Sequence, residues 1–178
     1  MGLKEILDKL SSYNIFNYLL PGIIFVVLMG KLTHYSFVQP DIVLGAFLYY
    51  FIGLVISRIG SLVIEPIVKK ISFVKFAKYK DFVAAAKNNP KLEVLSESNN
   101  SYRTLSAMFL LLIALKIYEK VSSYFPRVAR WNAEMLVILL FFMFLFAYRK
   151  QTAYITKRVQ ANQAVQEKEI AKAVKANL

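Results

Sequence analysis

The side chains able to do chemistry sit where they are costly, inside apolar sequence. Arg58 is the one charge in the run from Ile42 to Ile64. A charge within a membrane span is expensive enough to be a functional candidate by default. Glu65 follows seven residues on, on the same helix face, with Ser61 between them. The plainer account of Arg58 is snorkelling, since it lies roughly 9 Å from the end of the run at the rise of an α-helix. Asn14, Asn17 and Pro21 recur at i, i+3 and i+7, along one helix face. Inward amides can line a water-filled path; they can equally bond neighbouring helices or cap the first turn. Gly53, Ser57 and Ser61, spaced by four, make a ridge of small residues that lets backbones approach closely in lipid. Arg58 borders that ridge, and both a contact within the chain and one between copies remain open.

Catalytic sets are missing from the sequence. There is no cysteine, hence no disulfide and no thiolate metal site, and His34 is the sole histidine. No metal and no cofactor are expected, and no enzymatic activity. No Gly-rich phosphate loop is present. Arg158 and Asn162 in the tail, with three residues between them, are at best a decayed form of the Arg-x(4–6)-His ribonuclease motif. Asparagine cannot accept a proton as neutral imidazole does, so the pair is expected to be inactive, two members of a solvated helix face. Lysines and aromatics interleave from Lys69 to Phe82. Such interleaving can stack bases. Here it follows directly on an apolar run, and its every-third spacing spirals around a helix instead of making a platform. A membrane-surface anchor is therefore expected, and direct RNA binding is not.

The elements that must position these residues are helices. The 178 residues are 57% apolar, with a mean hydropathy of +0.46, and the apolar residues cluster into four runs. The first goes from Ile15 to Phe37, with Pro21 and Gly22 placed to kink the helix or end a preceding one. The second, Ile42 to Ile64, is punctuated by Pro40 and Asp41 before it and by Glu65 and Pro66 after it. The third, Tyr102 to Tyr118, has an uncharged part of only Thr104 to Leu115; the fourth runs from Trp131 to Tyr148. A crossing helix needs about 20 residues, so the last two imply local thinning or snorkelling flanks, and the aromatic residues bracketing them fit headgroup depth. Leu3, Ile6, Leu7 and Leu10 mark a short amphipathic helix ahead of the first run. Glu5 and Asp8 argue against a signal peptide there, and Ile6 against myristoylation. Between the hairpins, Asn89 is placed to cap a short helix with Pro90 in its first turn. The tail reads as a continuation of the fourth helix.

The expected fold is thus all-α and polytopic, with about four membrane helices, a cytoplasmic helical segment and a C-terminal helix. It divides into residues 1–66 (amphipathic helix and first membrane hairpin), 67–101 (basic segment), 102–148 (second hairpin) and 149–178 (tail). The net charge of +12 fits this layout. With the N-terminus inside, 17 of the 23 basic residues fall on cytoplasmic segments, so the positive-inside rule puts both termini in the cytoplasm.

Three stretches carry a resemblance: Tyr13 to Gly22, Tyr49 to Ser61, and Ser96 to Thr104. They resemble small bacterial membrane proteins encoded beside type VI-B RNA-targeting CRISPR effectors. The resemblance implies a homo-oligomeric pore in the bacterial inner membrane that depolarises it and strengthens antiviral defence after the effector cleaves viral transcripts. It also implies descent from the Arg-x(4–6)-His nuclease class, from which Arg158 and Asn162 depart. The competing reading is a non-conducting membrane scaffold that recruits a partner through its basic cytoplasmic face.

Overall fold

A computed structural model describes residues 14–89, 91–125 and 130–176. Among the described residues there is no strand, and five helices follow one another: α1 (Ile15–Leu32), α2 (Ile42–Lys70), α3 (Tyr79–Asn88), α4 (Lys91–Tyr124) and α5 (Asn132–Ala176). The amphipathic helix expected over Leu3 to Leu10 lies outside the described residues.

Helices α1 and α2 each run through a proline. In a regular helix a proline loses one hydrogen bond and its ring strikes the carbonyl four residues back, a cost of about 3 kcal/mol or more. Both helices meet this the same way, with a five-residue π turn just upstream: Ile15–Leu19 before Pro21 and Gly60–Ile64 before Pro66. The carbonyl each ring would strike, that of Asn17 or Leu62, lies inside the wider turn, where bonding runs i to i−5. Leu20 N–H accordingly bonds Ile15 O, and Glu65 N–H bonds Gly60 O. Pro66 therefore does not finish the second helix, contrary to the expectation from sequence. The chain stays helical to Lys70.

The end of α2 is closed by Ser72 at a φ of 58°. Ser72 N–H bonds Lys69 O at 3.1 Å and Phe73 N–H bonds Val68 O at 3.0 Å, the pairing of a left-handed helix cap. Residues 71–78 are not helical, so the lysines and aromatics expected to spiral around one helix are split by a linker. Phe73 and Phe76 stand exposed there, with Lys69 Nζ 4.1 Å from the centre of the Phe76 ring.

Asn89 caps the next helix as its type suggests, its Oδ1 accepting Lys91 N–H at 3.1 Å; Pro90 lies outside the described residues. That helix is not short. It is α4, 34 residues that carry the basic segment straight into the third apolar run, so the division after residue 101 falls in mid-helix. The fourth run and the tail likewise form one helix of 45 residues, about 68 Å long at 1.5 Å per residue.

The core lies among α1, α2 and α4. Phe25, Val26 and Met29 of α1 meet Ile56 of α2 and Ala107, Met108 and Leu112 of α4. Helix α5 stands outside it, touching α2 through Phe144 on Phe51 and α3 through Tyr154 on Tyr79. Among the described residues, three helical stretches are long and apolar enough to cross a membrane: Ile15–Leu32, Ile42–Lys70 and Asn132–Ala164. The most apolar window of the last is only 6% buried, with Leu136, Ile138, Leu139, Phe141 and Phe146 all exposed. A helix apolar on all sides and covered on almost none is built for lipid or for another chain.

Candidate functional site

The polar residues of the apolar runs meet inside the bundle. Asn17 from the π turn of α1, Ser57 from α2 and Thr104 from α4 are all buried, Asn17 and Thr104 completely. Asn17 Nδ2 donates to Ser57 Oγ at 3.3 Å. The Thr104 hydroxyl lies 2.9 Å from Asn17 Oδ1, 3.2 Å from Ser57 Oγ and 2.9 Å from the Asn100 carbonyl. It has one proton and so donates to one of these at a time. Pairing such groups matters most where no water can do it, because an unbonded polar group in an apolar medium costs several kcal/mol.

Two glycines bring α1 and α2 close enough for this. A Cβ on Gly53 would sit 1.7 Å from the Tyr18 carbonyl oxygen, and one on Gly22 would sit 1.8 Å from that of Tyr49. Each helix thus presses its glycine on the other's backbone. Gly60 does the same more loosely against α4, where a Cβ would meet the Arg103 carbonyl oxygen at 3.2 Å.

Of the sequence-derived candidates, the structure unites Asn17, Ser57 and Gly53 in this contact within one chain. Pro21 is buried beside it and Asn14 is half-buried. Arg58 points elsewhere: its guanidinium lies 3.4 Å from the Tyr18 hydroxyl, and the Tyr18 ring stands edge-on to Tyr50 at 5.5 Å. Glu65 does not meet Arg58. Its carboxylate instead joins three cations at one end of the bundle: Lys69 at 2.7 Å, Arg103 at 2.7 Å and Lys150 at 3.3 Å. Ser61 contributes its backbone carbonyl, which accepts from Lys150 Nζ at 2.6 Å.

At the opposite end, Glu119 accepts from the His34 backbone N–H at 2.7 Å and from Lys116 at 2.6 Å. Lys116 first, then that N–H, hold its carboxyl below the usual range. Tyr118 of α4 donates to Asn132 at the start of α5. Arg158 and Asn162 line an open cleft of about 350 Å³ between α3 and α5, with Tyr79 and Phe82. Arg158 stands 3.5 Å from Glu93, and both are exposed. Burial and the neighbouring Tyr154 hydroxyl push the Tyr79 phenol up to about 12.

Sequence reading missed Thr104, Gly22 as a contact, and Arg103 and Lys150 as partners of Glu65. A usable signal was depth. In runs that alternate in direction, Glu65, Arg103 and Lys150 each fall within two residues of the same end.

Comparison with known protein families, curated proteins and solved structures finds no match for this chain. Fold and site together define an all-α protein with three helices suited to cross a bilayer.

Proposed function

We propose that the chain is a multi-pass protein of a bacterial inner membrane, with four crossings and both termini cytoplasmic. It acts without catalysis as a scaffold whose basic inner face recruits a partner. The observation that carries this reading is the inward bonding of Asn17, Ser57 and Thr104. Asn17, Ser57 and Thr104, which could have lined a path, are engaged with one another in one chain, while α5 presents apolar side chains outward. The fourth crossing is α4, whose apolar stretch is tied at one end to α2 through Arg103 and at the other to α5 through Tyr118.

A second reading is a homo-oligomeric pore that depolarises the membrane in RNA-guided antiviral defence, with an RNA-targeting CRISPR effector as its functional partner. The resemblance in sequence motivates it. The bare flank of α5, only 6% buried, is a surface that another copy can cover. A voltage-sensitive dye separates the two in cells carrying effector, guide and this chain, before and after target transcription. The scaffold reading expects a steady potential with antiviral protection intact, and particles in detergent too small for a ring. Depolarisation that requires all three components overturns it in favour of the pore.

A further inference from the structure

The cluster around Glu65 is unbalanced. One carboxylate faces Lys69, Arg103 and Lys150 at 2.7, 2.7 and 3.3 Å, which leaves two positive charges without a counter-ion in the cluster. The carboxylate is the inner member, its side chain 13% exposed, whereas Lys69 and Lys150 are 45% and 40% exposed. Donor capacity is left over as well. Arg103 Nε is buried and has no hydrogen-bond partner. Lys150 Nζ uses two of its three protons, on Ser61 O and Glu65. The cluster lies where apolar sequence stops: Arg103 immediately precedes the uncharged stretch of α4, and Lys150 follows the fourth run by two residues. Tyr102 and Tyr148, their near neighbours in sequence, are exposed, as rings at headgroup depth are. At that depth the abundant anion is the lipid phosphate, and basic pockets between membrane helices on the cytoplasmic side bind such headgroups.

We propose that Lys69, Arg103 and Lys150, held in place by Glu65, bind the phosphate of an anionic phospholipid headgroup. The assignment rests on the membrane reading above. Glu65 orients the cations, and the lipid phosphate supplies the charge that one carboxylate does not. The lipid then ties α2, α4 and α5 together where their apolar stretches end on the cytoplasmic side.

The test is native mass spectrometry of the full-length chain in neutral detergent, titrated with phosphatidylglycerol, phosphatidylcholine or inorganic phosphate. Phosphatidylglycerol is expected to be retained about tenfold better than phosphatidylcholine. Lys69→Gln, which leaves Arg103 and Lys150 on Glu65, is expected to weaken retention several-fold, and Lys150→Gln to remove the preference. Lys150→Arg should keep it, which separates lost charge from lost folding. Equal retention of the two lipids, or an unchanged preference in both glutamine variants, overturns the site. Displacement of phosphatidylglycerol by equimolar inorganic phosphate overturns the lipid as its occupant. An alkaline carbonate wash of the membranes keeps the two levels apart. A chain that stays in the pellet without a lipid preference refutes the site alone, and a chain released by the wash refutes the membrane reading with it.

Discussion

Thr104 shows how a single hydroxyl can join three helices. Its proton has three acceptors within 3.2 Å, on α1, α2 and its own helix. Valine at this position keeps the shape and removes the donor, leaving Asn17 Oδ1 with one fewer partner in a buried site. Hydrogen bonds between helices in lipid average about 0.6 kcal/mol, because the unfolded chain in the membrane also finds partners. Where such a loss leaves a buried acceptor unsatisfied, the cost rises by about 1–3 kcal/mol. Thr104→Val is therefore expected to cost about 2 kcal/mol in reversible detergent unfolding. Paired with Ser57→Ala in a double-mutant cycle, it should be non-additive by about 0.6 kcal/mol. Strict additivity would mean the two hydroxyls do not interact. Ser57 was readable from sequence as a small residue on a ridge, and Asn17 as an inward amide. Their shared partner was not, because a threonine at the edge of an apolar run looks like any other helix residue. What identifies it is its place against Asn17 and Ser57, which only the packing of the helices supplies.

At the level of the element, the glycine ridge of α2 was legible and its register was not. Spacing by four picks out Gly53, Ser57 and Ser61; Gly53 presses on the Tyr18 carbonyl and Ser57 is buried in the same contact, while the π turn at Gly60–Ile64 rotates the face that follows it. Ser61 then serves through its backbone carbonyl alone. A methyl at Gly53 tests the crossing. Alanine gains about 1 kcal/mol in helix propensity over glycine. Against that stands a Cβ 1.7 Å from the Tyr18 backbone oxygen, an atom that cannot swing aside. Overpacking of this kind costs about 3 kcal/mol or more and wins. Gly53→Ala should lower stability by about 2 kcal/mol net. Gly30→Ala, where the nearest atom would lie 3.9 Å away, should raise it by up to about 1 kcal/mol. Thermal unfolding of both variants in the same detergent reads the contrast, and equal effects would contradict the crossing. The prolines mark the same limit on sequence reading. Pro66 looks like a helix end, yet a π turn upstream carries the helix past it, and nothing local announces a π turn.

Across the whole molecule, apolar runs set the architecture and lie close to the observed helices. Their lengths left open which would stand apart. Three of the four apolar stretches share a core, while the fourth, on α5, keeps almost all of its surface for lipid or another chain. Asn17, Ser57 and Thr104 close on each other inside one chain and do not face water. The absence of cysteine makes this directly measurable. Ser57→Cys places a thiol nearly isosteric with the hydroxyl in the buried cluster, and Asn162→Cys places one on the exposed face of α5. Inverted membrane vesicles carrying either variant are treated with a charged, membrane-impermeant maleimide. The prediction is rapid labelling at position 162 and none at position 57 until the protein is denatured. Labelling of Ser57→Cys in folded protein, at a rate approaching that of Asn162→Cys, would place the cluster on a water-filled path and contradict the account.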